Sequence, residues 1–219
     1  MPTLKYPFGE YNFTTATVAE KLAQYWRSRL EAECPQQSVA SKESIIRWLL
    51  GSDLKRFDLL HSKDLDIAVQ LMEYHYRILH QRYLGKEREA AYRNLIIRLG
   101  SAVTQRNKIQ TWVAMSRDCP LGGSLWEHRQ RTMLDVLQEV LQEILQSDSY
   151  MQQQMVCISK LTTDTQLRNL LLFASLEEYC LRPIRNLPLL VYRFVKYLYH
   201  TQHNSLTQVL RNDLLPFDL

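Results

Sequence analysis

RTMLDVLQEVLQEILQ, Arg131 to Gln146, places apolar residues at Met133, Leu134, Leu137, Val140, Leu141, Ile144 and Leu145. The spacing of three and four puts them on one stripe of an α-helix, with Glu139 and Glu143 on the opposite side. The stripe spans barely two and a half heptads, so it points to burial in a bundle rather than to a coiled-coil dimer. Working toward the C-terminus, Ser147 or Asp148 starts a helix to Lys160, and Thr163 or Asp164 starts another through LRNLLLFASLEEYCL. Pro183 stops that helix, because proline lacks the amide hydrogen and its ring clashes with the preceding turn. Asn186 and Pro188 open an aromatic helix, LLVYRFVKYLYH, and a short helix is expected over Ser205 to Asn212.

The same periodicity extends toward the N-terminus. Thr14 or Thr15 can cap a helix through VAEKLAQYWRSRLEAE, with Val18, Leu22, Tyr25, Trp26 and Leu30 on one face. Ser41, followed by Glu43 and Ser44, opens a short helix ending at Gly51, and Ser52 or Asp53 opens another, DLKRFDLL. Leu65, Val69, Met72, Tyr76, Leu79 and Tyr83 mark a long amphipathic helix closed by Gly85. A helix to Leu99, a turn at Gly100 and Ser101, and a further helix through Val103, Ile109, Trp112 and Val113 follow. No segment shows convincing period-two alternation. The expected fold is all-α, an irregular multi-helix bundle of about nine to eleven helices with a helix-turn-helix-like hairpin around Gly100. CPLGGS, Cys119 to Ser124, is the clearest break. It suggests an N-terminal helical subdomain over residues 1–118, containing a basic stretch at 74–108, and a C-terminal one over 124–219, or else one continuous domain.

Composition narrows the function classes. Among 219 residues glycine numbers only 6 and proline 7, which disfavours turn-rich sheet folds and loops that cradle phosphates with several glycines. Hydrophobic residues at 46% and charged ones at 23% are the balance of a folding chain. Cys34, Cys119, Cys157 and Cys180 stand far apart without metal-ligand spacing and read as reduced, mostly buried thiols of a cytoplasmic protein. The start, MPTLKYPFGEYNF, has no apolar signal core, and no run of 18 apolar residues occurs, so secretion and membrane spanning are both disfavoured.

Catalytic signals are poor. His75 and His80 lie five apart and do not share a helix face, and His200 and His203 lack an acidic partner nearby. Glu177 and Glu178, being adjacent, point in different directions and read as part of a solvated face, as do Glu139 and Glu143. No nucleophile elbow is present. The chain is expected not to be an enzyme and to carry no metal or cofactor.

Charge distribution says more than the net charge of +4. From Tyr74 to Lys108 eight basic residues, Arg77, Arg82, Lys86, Arg88, Arg93, Arg98, Arg106 and Lys108, face two acidic ones, Glu87 and Glu89; between Cys119 and Asp148 the balance reverses. A turn at Gly100 would bring cations from two helices together, geometry that suits a phosphate backbone. Arg77, Arg82, Arg93, Arg98, Arg106 and Lys108 are therefore candidate DNA contacts, the alternative being a solvated basic face. Arg193, Lys196, Tyr197 and His200 form a second face, with Arg182 and Arg185 just upstream. Arg182, Arg185, Arg193, Lys196 and Tyr197 could bind an acidic partner or simply lie over a core of tyrosines.

The strings RQRTMLDVLQEVLQEILQSDSYMQQQ and TTDTQLRNLLLFASLEEYCLRPIRNLPLLVYRFVKYLYHTQ, within Arg129 to Gln202, resemble the C-terminal part of the cyanobacterial HetZ-type heterocyst differentiation proteins. The likeness is densest over Leu167 to Leu198, in EEYCLRPIRN and PLLVYRF, and covers about a third of the chain. Family members are longer, which suits a shortened relative. The resemblance implies a cytoplasmic regulator of heterocyst differentiation that acts on transcription and associates with other regulators such as HetR. It supplies no catalytic residues and no DNA-contacting ones.

Overall fold

The computed structural model describes residues 17–104, 125–184 and 187–197. Among these residues the chain forms nine helices, as an all-α bundle requires, and one two-residue ladder. The helices are α1 (Val18–Glu33), α2 (Val39–Leu50), α3 (Arg56–Leu59), α4 (Ser62–Arg82), α5 (Arg88–Thr104), α6 (Leu125–Ser147), α7 (Ser149–Leu161), α8 (Thr165–Leu181) and α9 (residues 189–197). β1 (Pro183–Ile184) pairs antiparallel with β2 (Leu187–Pro188) between α8 and α9. The expected helix beyond Ser205 and the break at CPLGGS lie outside the described residues.

The chain divides into two compact units, Met1–Met72 and Glu73–Leu219, so α4 runs through the division. This is a different place from the break at 119–124, and α5, before that break, packs extensively on α8, after it.

In the first unit, Thr17 rather than Thr14 or Thr15 caps α1. Its hydroxyl accepts from the Glu20 amide at 3.2 Å while the Glu20 carboxylate accepts from the Thr17 amide at 2.9 Å, so two otherwise orphaned donors are satisfied. Asp58 of α3 accepts from the Val18 amide at 2.9 Å and settles a third. Packing α1 on α2 and α3 buries Leu22, Trp26, Leu30, Ile45, Ile46, Leu49 and Phe57. The helix expected over DLKRFDLL shrinks to the single turn of α3.

The second unit is built around α8. From Leu167 to Leu181 no residue of this helix is exposed, because α5 and α7 pack on it from different sides. A helix apolar on nearly all sides has to be buried, and LRNLLLFASLEEYCL is one. α7 and α8 both begin at aspartate caps: Asp148 accepts from the Tyr150 and Met151 amides, and Asp164 from those of Gln166 and Leu167. On α6 the stripe resolves into Leu137, Val140, Leu141 and Ile144 buried, with Leu134 at 40% exposure at its edge.

The expected turn at Gly100 is absent. α5 continues through it to Thr104, and a Cβ on Gly100 would meet Leu137 Cδ2 of α6 at 4.0 Å, an ordinary contact. Leu95, Leu99 and Val103, read as flanking a turn, are instead the inner face of one uninterrupted helix, all fully buried. The helix-turn-helix-like hairpin around Gly100 is therefore corrected to a continuous helix. Among the described residues the glycines whose φ is positive are Gly51 and Gly85, which end α2 and follow α4. Gly100→Ala should accordingly be neutral or stabilising by up to about 1 kcal/mol, because alanine is the better helix former and the space exists. Urea unfolding of the variant checks this; a marked loss of stability would restore the turn.

Candidate functional site

The nominated basic residues lead to the interior. Glu177 of α8 has no solvent exposure, and its carboxylate is held from three directions. Arg82, at the end of α4, donates from Nη1 to Oε1, and Arg98 of α5 donates from Nε to the same oxygen at 2.8 Å. The Tyr83 hydroxyl donates to Oε2. Burying a lone carboxylate is prohibitive, and two guanidinium ions with a phenol meet its need for donors. Burial, and then the adjacent Glu177 carboxylate, push the Tyr83 phenol far up, so it stays a donor throughout the ordinary pH range.

Glu178, one residue on and rotated to another side of α8, is also buried and gathers its own partners. Arg182 grips it side-on, Nε at 3.2 Å from Oε1 and Nη2 at 2.9 Å from Oε2, and His75 Nε2 lies 3.8 Å from Oε2. Burial opposes ionisation of Glu178, but His75 and Arg182 together outweigh it and hold its carboxyl below the usual range. The Arg182 guanidinium also lies over the rings of Tyr150 and Tyr179, at 5.1 Å and 5.4 Å, which stack on each other at 4.8 Å. Glu177 and Glu178, expected on a solvated face, are thus the buried polar centre of the unit. The correction follows from α8 having no solvated face over this length.

A third carboxylate ties the remaining helix in. Asp148, while capping α7 through Oδ1, accepts at Oδ2 from the Tyr179 hydroxyl at 2.7 Å and from Arg193 Nη2 of α9 at 3.1 Å. Burial, then the bond to Asp148, push the Tyr179 phenol up to about 12. Arg193 Nη1 further approaches Glu143 at 3.8 Å, and the Tyr197 hydroxyl donates to Glu139.

Of the nominated DNA contacts, then, Arg82 and Arg98 share one buried carboxylate. Arg77 is exposed, its guanidinium 5.7 Å over the Tyr74 ring, and Arg93 is exposed without an ion pair to a described residue. Arg106 and Lys108 lie outside the described residues. Of the nominated partner contacts, Arg182, Arg193 and Tyr197 are engaged by Glu178, Asp148 and Glu139, Lys196 is exposed, and Arg185 lies outside the described residues.

Sequence reading missed Glu177, Glu178 and Asp148 as partners of these cations. A signal was available: two glutamates inside a run apolar on every side must be paired. Among the described residues no group of His, Cys, Asp and Glu could hold a metal ion, and no helix is long and apolar enough to cross a membrane. Cys34 and Cys180 are buried, and burial pushes the Cys180 thiol well above its ordinary value; Cys157 is exposed. Comparison with protein-family models, curated proteins and solved structures finds no match.

The Glu178 pair gives a pH dependence of known sign. Its folded pKa lies below the unfolded value of about 4.3, so its stabilisation is fully present above that pH and is lost as pH falls through the folded value. Glu178→Gln should lower the urea midpoint at about pH 7, and its deficit against the wild type should shrink toward about pH 3. A deficit that stays constant with pH would show that the carboxylate charge contributes nothing.

Proposed function

We propose that this chain is a regulatory protein that acts by binding other proteins, a cytoplasmic, non-catalytic adaptor in cyanobacterial heterocyst differentiation. The observation that carries the binding reading is the two-sided character of α9. Its inner side buries Leu190, Val191 and Phe194, and Arg193 and Tyr197 fasten it to carboxylates of α6 and of the α6 to α7 junction. Its outer side leaves Tyr192 at 48% exposure and Val195 at 47%, beside exposed Lys196. A helix fixed this firmly presents those side chains with little ordering left to lose on association, and tyrosine with an apolar neighbour is a favoured interface pairing. The resemblance to HetZ-type proteins, densest over this same region, supports the pathway and makes HetR the first partner to try. Purified HetR should bind the full chain in calorimetry, and Tyr192→Glu with Val195→Glu should abolish the binding while leaving helicity unchanged. Undiminished affinity in the double variant would dismiss this face.

A transcriptional regulator that touches DNA directly is the second reading, favoured by the exposed Arg77 and Arg93 in the basic stretch. Arg82 and Arg98 count for less in it than their charge suggests, since each is drawn toward Glu177. If Arg77 and Arg93 contact phosphates, replacing both by Gln flattens the slope of log affinity against log salt by about two units on generic duplex. A slope equal to that of the wild type would remove them as contacts.

A further inference from the structure

Two guanidinium ions share one carboxylate oxygen at Glu177, and the charge does not cancel. Arg82 and Arg98 bring two positive charges against the single negative charge of Glu177, while the Tyr83 phenol stays neutral. The donors do not cancel either. Arg98 spends only its Nε and Arg82 only its Nη1, so the remaining guanidinium N–H groups of both have no partner among the described residues. Since both bonded nitrogens meet the same oxygen, the two guanidinium groups are neighbours. Both reach water, Arg98 with 44% of its side chain exposed and Arg82 with 25%.

We propose that Arg82 and Arg98 form an oxyanion site for a terminal phosphate group, with Glu177 and Tyr83 as the buried residues that aim them. Guanidinium forks pair with phosphate through parallel charge-assisted hydrogen bonds, and tetrahedral oxygens can accept from two forks at once. The usual cost of such a site is holding two long, flexible side chains in register. Here Glu177 meets that cost within the fold, because a buried carboxylate has to keep both arginines. Recession selects the form of the ligand: with Arg82 three-quarters covered, a phosphate at the end of a molecule reaches the donors better than a diester inside a chain. The site is independent of the α9 face and uses none of its residues, so either can fail alone.

The test is a titration of the full chain with inorganic phosphate at constant ionic strength, against chloride, followed by thermal unfolding and calorimetry. Saturable binding and a raised unfolding midpoint are expected. Free phosphoserine in place of phosphate separates the sources, a monoester that binds more tightly pointing to a phosphorylated molecule and the reverse to free phosphate. Arg98→Gln should weaken binding about tenfold, the loss of one charge-assisted interaction, while Arg88→Gln, an exposed cation on the same helix, leaves it unchanged. If Arg98→Gln fails to fold, the Arg98 Nε–H resonance of the wild type takes its place and should shift on adding phosphate. The proposal is overturned by a phosphate response no greater than that of chloride, by wild-type affinity in a folded Arg98→Gln, by an unmoved Arg98 resonance, or by dimethyl phosphate binding as tightly as phosphate.

Discussion

A carboxylate without solvent contact, Glu177, sits on the helix against which α5 and α7 pack, and its need for partners constrains three elements at once. Arg82 must end α4 beside it with Tyr83 directly after, and Arg98 must sit on the face of α5 that looks toward α8. Removing any partner leaves a buried charge short of donors, which is costlier than the pair is favourable. The contacts are directional, whereas the surrounding leucines would tolerate a rotation or slide of α5 along α8. The polar triad thus sets the register in which an otherwise slippery apolar interface closes.

Asp148 does the same at the other end of the unit with smaller means. One of its oxygens begins α7 by capping, and the other receives α8 through Tyr179 and α9 through Arg193. Together with the Arg182 clamp on Glu178, this ties the placement of Arg182 and of α9 to the core rather than to local propensity. A firmly placed α9 is what the proposed recognition surface requires, and firmly placed guanidinium groups are what the proposed anion site requires. Structural pairing and binding capacity are therefore not alternatives here. A single negative charge can orient two cations without neutralising both.

Helix positions were largely legible in the sequence, because apolar spacing and capping residues are local properties. Asp148 and Asp164 cap α7 and α8 as the residue types suggest, and the α6 stripe from Leu137 to Ile144 faces inward as its spacing requires. Gly100 misled because glycine after a run of helix formers reads as a stop. Its lack of a side chain instead lies at the approach of α5 to α6, and no positive φ is needed. The basic stretch misled in a different manner. Counting charges along 74–108 weighs each arginine equally, and the carboxylate that claims two of them stands 95 and 79 residues further on.

By itself the sequence determined an all-α chain, where most helices begin and end, and which stripes are apolar, since each depends on residues within a turn or two of one another. Only the tertiary structure decided that Glu177 and Glu178 are buried, that Arg82 and Arg98 converge on one oxygen, and that Tyr192 and Val195 remain outside. Those are statements about which face of α8 or α9 meets which neighbour. Spacing along one helix fixes the angles between its own side chains but not the direction from which another helix arrives.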